Sequence, residues 1–251
     1  MSSLRRRSSL ALGAALAAVF ALARPVAAAH PMLTEDAGTQ GRGRVELELG
    51  LERDRDGGSH TVLFAPQVSY GIVQTVDFIV QPSWLRVSGA ASVAGGAGDT
   101  VVDAKWRFVE QDDLSLGVRG GVGFPTGNAD RGLGAGEATY HLTLIASLAT
   151  EPLAWHANVG GARQGGGDGL RRDLASASIA LVWTLRDGLQ FTAEIGVGQH
   201  PDRSVSTWPA VARCGLIATV DPHLDLDVGV QTRLNDVAPE SSILAGATLR
   251  W

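Results

Sequence analysis

The chain has 251 residues, 45% of them hydrophobic and 19% charged, with 26 acidic side chains against 21 basic ones. That length suits one large barrel or one ordinary domain. Lysine occurs once, at Lys105, with no basic patch of the kind that binds nucleic acid, and the single cysteine, Cys214, excludes an intrachain disulfide.

Arg5, Arg6 and Arg7 form a basic start, Leu10 to Ala23 an apolar stretch, and Ala27-Ala28-Ala29 an A-x-A cleavage site. This is the pattern of a cleaved secretory signal, so residues 1–29 are expected to be removed and the mature chain to begin at His30. The alternative is an uncleaved anchor, for which the apolar run is short. Cleavage leaves 17 basic side chains against 26 acidic ones, a net charge of −9. No later segment approaches about 18 consecutive apolar residues, so helical membrane spans are not expected. No lipobox cysteine follows the signal. Residues 30–42 are too polar and Gly-rich for a membrane strand.

From about residue 43 the pattern has period two. Val45, Leu47, Leu49 and Leu51 alternate with Glu46, Glu48, Gly50 and Glu52. The same alternation runs through 114–124 and 224–231. Successive side chains of a strand point to opposite faces, so each stretch has one apolar and one polar face. Twelve strands are expected: roughly 43–53, 60–70, 75–87, 100–110, 114–125, 137–149, 153–162, 174–185, 188–198, 209–220, 223–234 and 242–251. Most have the roughly 9–11 residues that a tilted strand needs to cross a bilayer.

The connections are expected to alternate in length. Asp54 to Ser59 is polar and Gly-rich, and Gly71 to Gln74 is tight. Ser88 to Asp99 reads as a long loop, as do 126–136, 162–173 and 199–208, with 235–241 somewhat longer than a turn. Between them 111–113, Glu151-Pro152, 186–188 and Asp221-Pro222 are short. Short turns on one side and longer loops on the other mark an outer-membrane barrel with an even strand number. The expected fold is all-β: an antiparallel transmembrane β-barrel of about twelve strands with both termini periplasmic. Residues 1–29 are the signal, 30–42 a periplasmic tail or small lumenal plug, and 43–251 the barrel. If 30–42 fold inward, Glu35 and Asp36 are expected to meet lumen arginines.

Aromatics should then gather at the two water–lipid interfaces. Tyr70, Phe78, Trp106, Phe108, Trp155, Trp183, Phe191 and Trp251 fall near the periplasmic strand ends. Trp84, Phe124, Tyr140 and Trp208 fall near the outer ends, and Phe64 alone reads as mid-strand. The last strand carries Ile243, Ala245, Ala247, Leu249 and Trp251 on alternate positions, which resembles the signal read by the barrel-insertion machinery of bacterial outer membranes. Expected partners are therefore outer-membrane lipid, that machinery and an unidentified small solute.

Several segments resemble the outer-membrane transporter family named for the meta-pathway of phenol degradation. They are the opening stretch His30-Pro31-Met32-Leu33-Thr34-Glu35-Asp36-Ala37-Gly38-Thr39-Gln40-Gly41, then Ser69-Tyr70-Gly71, Gly98-Asp99, Lys105-Trp106-Arg107-Phe108 and Pro125-Thr126-Gly127. The resemblance covers most of 30–147 and, more loosely, the rest. It implies an outer-membrane barrel and passage of hydrophobic or aromatic compounds. It supplies no catalytic residues.

The polar faces supply the candidate lumen lining: Glu46, Glu48, Asp77, Asp103, Lys105, Arg107, Arg119, His141, Glu194, Arg213, Asp225, Asp227 and Arg233, with Arg250 at the end. Acids and bases are mixed, and a narrow lumen holds them only if they pair or stay hydrated. They read either as a structural salt-bridge network or as a selectivity lining. His141 and His156 share polar faces of neighbouring strands, but Ser147 lies near the opposite end of its strand from His141. No G-x-S-x-G motif occurs, so no catalytic residue is assigned. His30, as a mature N-terminus, is a weak copper ligand candidate, and His60, His200 and His223 have no ligand-like spacing to help it. Neither a metal site nor a cofactor is expected. The Gly runs 95–98 and 165–167 read as flexible loop, because neither is followed by Lys-Ser/Thr and a helix. The reading is an outer-membrane channel for small, hydrophobic or aromatic molecules. The alternatives are a structural or interaction barrel closed by salt bridges and, third, a barrel enzyme.

Overall fold

A computed structural model describes residues 30–89, 92–165 and 169–251. The expected signal, 1–29, lies outside the described residues, as does part of the second Gly run. The strand segments are β1 (Val45–Asp56), β2 (Ser59–Val73), β3 (Val76–Gln81), β4 (Trp84–Gly89), β5 (Ser92–Ala97), β6 (Thr100–Gln111), β7 (Leu114–Phe124), β8 (Thr139–Thr150), β9 (Leu153–Arg163), β10 (Asp173–Arg186), β11 (Leu189–Gly198), β12 (Ala210–Asp221), β13 (Leu224–Arg233) and β14 (Ser241–Arg250). β3 and β4 are one barrel strand interrupted at Pro82-Ser83, since both pair with β2. β5 and β6 form the next, interrupted at Gly98-Asp99, since they pair with β4 and β3. The result is a closed antiparallel barrel of twelve strands. β1 seals it by pairing with both β2 and β14, from Glu46↔Arg250 to Arg55↔Ser241.

The start of the first strand and the end of the last lie at the same rim, where Val45 and Trp251 exchange backbone hydrogen bonds at 2.9 and 3.1 Å. The turns at that rim are Gln74-Thr75, Asp112-Asp113, Glu151-Pro152, Asp187-Gly188 and Pro222-His223. The opposite rim carries the loops 125–138, 164–172, 199–209 and 234–240.

At that opposite rim one connection is shorter than its sequence bounds and one expectation is corrected. Gly57-Gly58 makes a tight β1–β2 turn, with φ of 53° and 83° that favour glycine. Ser88–Asp99 is not a long loop: Ser92–Ala97 is a strand paired with β4. Its small residues hide the alternation that marks strands elsewhere, so the run 95–98 is mostly ladder. This hairpin also relocates Phe64, which sits opposite Trp84 and so shares that tryptophan's level in the barrel.

The loops at that rim are tied down. The Asp99 carboxylate accepts from the Gly127 and Ala135 amides at 2.9 and 2.7 Å. Leu133 is buried beside Gly96 and Gly98. Arg171 donates to the carbonyls of His200, Asp202 and Val205, joining loops 164–172 and 199–209.

Burial follows the pleat in the sense opposite to a soluble core. Trp84, Trp106, Trp155, Trp183, Trp208 and Trp251 are all exposed on the outside, with Leu144, Val159, Val228 and Ile243. Buried residues include Glu48, Asp77, Asp103, Lys105, Arg119, Glu194, Arg213 and Asp227 on the inside. Among the described residues no helix is long and apolar enough to cross a membrane. Leu144→Arg on the outer face should cost about 2–4 kcal/mol if that face meets hydrocarbon. Urea titration of the barrel refolded into lipid measures it, and a cost near zero would rule that environment out.

Candidate functional site: the occupied lumen

Residues 30–41 lie inside the barrel and follow its wall. His30 sits between Gly50 of β1 and Gly246 of β14, with Nδ1 2.5 Å from Asp227 Oδ1 of β13. Arg213 of β12 donates to the Pro31 carbonyl at 3.1 Å. On β11, Glu194 accepts from the Leu33 and Thr34 amides at 2.6 and 2.9 Å and from the Thr34 hydroxyl at 2.8 Å. The Thr34 hydroxyl is also 2.9 Å from Ser178 Oγ of β10. Asn158 of β9, with its amide turned so that both ends find partners, brackets the Glu35 backbone N–H and C=O at 2.9 Å each. Ala37 donates to Ser147 Oγ of β8 at 2.8 Å. Gln40 donates its amide to Asp77 of β3 at 3.0 and 3.1 Å and its side chain to Glu46 at 2.6 Å. Gly43 then bonds Gly71 O at the rim. From His30 to Gly41 the chain makes a lap of the inner wall, touching nearly every strand in turn.

The wall is cut back where the segment lies. A Cβ on Gly50 would fall 2.8 Å from His30 Cδ2, and one on Gly215 2.6 Å from Pro31 Cγ. Gly229 and Gly246 give the same clearance to Pro31 and His30, and at Gly71 a methyl would overlap the Gly41 carbonyl. Met32 adds an apolar anchor against Ala180 and Val182, with Ala154 beside them.

Glu35 reaches the charged centre. Its Oε1 is 2.7 Å from Lys105 Nζ and its Oε2 2.7 Å from Arg119 Nη1. Arg119 also donates to Asp103 Oδ2 at 2.9 Å and to Gln67 Oε1 at 2.7 Å. Gln67 passes the chain on to Glu48. Asp103 Oδ1 is 2.8 Å from His141 Nε2. Asp36 lies 3.8 Å from Lys105 and accepts from Gly38 N at 2.5 Å. Burial works to raise the Asp36 carboxyl, but Lys105, His156 and nearby amides outweigh it and hold the group below its ordinary value of 3.8. Its charge therefore supports docking above the ordinary carboxylate range, and that support is lost as the pH falls through the depressed value.

A second cluster links Arg213 to Gln231 at 2.7 Å and Glu52 at 3.3 Å, with Glu194 3.7 Å away. At the terminal rim Arg250 joins Glu46 and Asp225 at 2.7 and 2.5 Å. Arg107 pairs with Glu110 at 3.0 Å near the same rim. Arg233 is part-exposed at the other mouth, 3.7 Å from Asp236, and takes no part in the inner network shown here.

Three placements escaped the sequence reading. Ser147 Oγ meets His156 Nδ1 at 2.8 Å rather than His141. The two are direct cross-strand partners about the Glu151-Pro152 turn, so counting outward from that turn would have found them. The serine's other contact is the Ala37 amide, so the pair holds the segment. Asn158 and Gln67 are uncharged and stand outside the set of charged lumen candidates, yet they satisfy the Glu35 backbone and Arg119. Glu35 meets one arginine, Arg119, and the chain's only lysine. Losing the Glu194 acceptor should weaken docking by about 3 kcal/mol, given two amides and a hydroxyl on one carboxylate. Glu194→Ala should therefore speed hydrogen exchange in peptide 30–41 by about a hundredfold, whereas unchanged exchange would mean the segment is held elsewhere.

Comparison with solved structures finds the same fold. An outer membrane channel from Pseudomonas putida F1 is 12% identical, with 86% of this chain and 98% of that chain covered at a TM-score of 0.69. The NanC porin is 14% identical, over 80% of this chain and 98% of that one, at 0.59. The KdgM porin in complex with disordered oligogalacturonate is 11% identical, over 82% and 98%, at 0.57. Comparison with curated protein sequences gives no match. The stretches that carried the resemblance are those that hold the segment or the loops: His30 to Gly41 is the segment, Gly71 its exit seat, Lys105 the partner of Glu35, and Asp99 with Gly127 the loop clamp. The family model described as "Putative MetA-pathway of phenol degradation" matches residues 28–251, and the chain belongs to that family.

Proposed function

We propose that this protein is a channel of the bacterial outer membrane whose lumen is restricted by its own residues 30–41. The observation that carries the reading is the lap of the wall made by that segment, fixed by Glu194, Asn158, Ser147 and Asp77. A barrel needed only as a scaffold has no use for a segment so built into its interior. The solved barrels described as a channel and as porins support the same reading.

The signal is cleaved after Ala29, which leaves His30 as the mature N-terminus at its seat between Gly50 and Gly246. Both termini face the periplasm, because the tight turns share their rim and outer-membrane barrels keep short turns on that side. The strand ending in Trp251 serves as the address for the insertion machinery. The solute we expect is small and hydrophobic or aromatic, in keeping with a family description that names phenol degradation.

The second reading is a barrel closed by its charge network, favoured by the completeness of the Glu35–Lys105–Arg119–Asp103 cluster. Planar-bilayer recording of the whole mature chain and of a variant lacking 30–41 separates the two. The channel reading expects a small conductance that rises severalfold on deletion. Equal conductance in both would sink the restricting role of the segment, and silence in both would leave the closed barrel.

A further inference from the structure

Glu35 is the chain's own carboxylate held in a ready-made seat. Its two oxygens are divided between two cations on the wall, Lys105 Nζ and Arg119 Nη1, each at 2.7 Å. Both cations are buried, and they sit on adjacent strands at directly paired positions, Lys105↔Arg119. Arg119 is itself fixed in direction by Asp103 and Gln67. The Arg119 donor therefore points at the carboxylate position whether or not Glu35 fills it. We propose that Lys105 and Arg119 form a binding site for small carboxylate solutes, and that Glu35 occupies it in the docked state as an internal stand-in.

Three features favour a carboxylate. The seat presents one ammonium donor and one guanidinium donor to separate oxygens, the arrangement that a planar two-oxygen anion satisfies. Asp103 on the wall pairs with Arg119, with Glu48 further along through Gln67, whereas Glu35 and Asp36, the acids within 4 Å of Lys105, belong to the segment and leave with it. Vacating the seat would take from the buried Lys105 its partner at 2.7 Å, so an entering anion replaces an existing interaction instead of having to create one. The tethered Glu35 acts as a competitor of roughly millimolar effective concentration, the scale of short flexible linkers. A solute present above that range displaces it and loosens the segment. This last step rests on the channel reading; recognition by the two cations does not.

The test uses acetate, because Glu35→Ala removes the atoms of an acetate ion from the seat. The readout is the unfolding temperature of the full mature chain in detergent, which needs no conductance. E35A is expected to unfold at a lower temperature than the parent, and acetate at about 50 mM, well above the millimolar scale of the tether, should restore most of the loss. The neutral isostere acetamide should restore none. A variant lacking 30–41 should be stabilised by acetate in the same way, which covers the case in which E35A folds poorly. Adding Lys105→Met to that variant should abolish the response. No shift with acetate in either variant, an equal shift with acetamide, or an acetate shift that survives Lys105→Met would each overturn the site. Absence of conductance alongside an acetate shift would overturn only the channel reading.

Discussion

Everything in this molecule follows from the seam between β1 and β14. A strand edge facing hydrocarbon leaves N–H and C=O groups unpaired at a cost of several kcal/mol each, so a sheet in lipid must close. The seam runs from Glu46↔Arg250 to Arg55↔Ser241 and leaves no edge. Closure creates an inside, and the pleat then sorts side chains between two environments. The outer face can be apolar without a partner, which is why Val159 and Ile243 stand exposed. The inner face has to be satisfied within a fixed volume. About eight strands give an interior that side chains alone can fill, whereas 16–18 leave an aqueous channel. Twelve strands fall between, and here the N-terminal segment takes up the room.

That segment enters as irregular backbone, and irregular backbone brings amides that need acceptors. This places a second demand on the acids of the lumen, beside ion pairing. Glu194 serves two amides and a hydroxyl, and Asp77 serves the Gln40 amide. Those carboxylates answer N–H groups first. Pairing proper is concentrated at Glu35 with Lys105 and Arg119 and at Arg250 with Glu46 and Asp225. The glycines of the inner wall complete the fit by removing side chains where Pro31 and His30 pass.

The two rims are built differently for the same reason of chain economy. At the terminal rim, neighbouring strands turn back at once. At the other, Asp99 and Arg171 gather backbone amides and carbonyls of the longer loops, which ties down the described parts of those loops. The family's short motifs fall on these fixing points and on the segment, and the lipid-facing strands between them need only keep an apolar alternate position.

Alternation, turn chemistry and aromatic placement determined the barrel from the sequence by itself, because period two and the interfacial preference of tryptophan are local properties of each strand. They also gave most strand limits to within a few residues. They failed at Ser92–Ala97, where small residues erase the contrast between the faces. The lumenal residues were legible as a set and not as a site. Lys105, Arg119, Glu194 and Asp77 could be placed on inward faces, but their partners depend on strand register and on where residues 30–41 run. Ser147 with His156 needed only the register of one hairpin, but Asn158 and Lys105 meet Glu35 across the lumen. Only closure brings such positions together, since a strand's pattern fixes which way a side chain points and says nothing of what stands opposite.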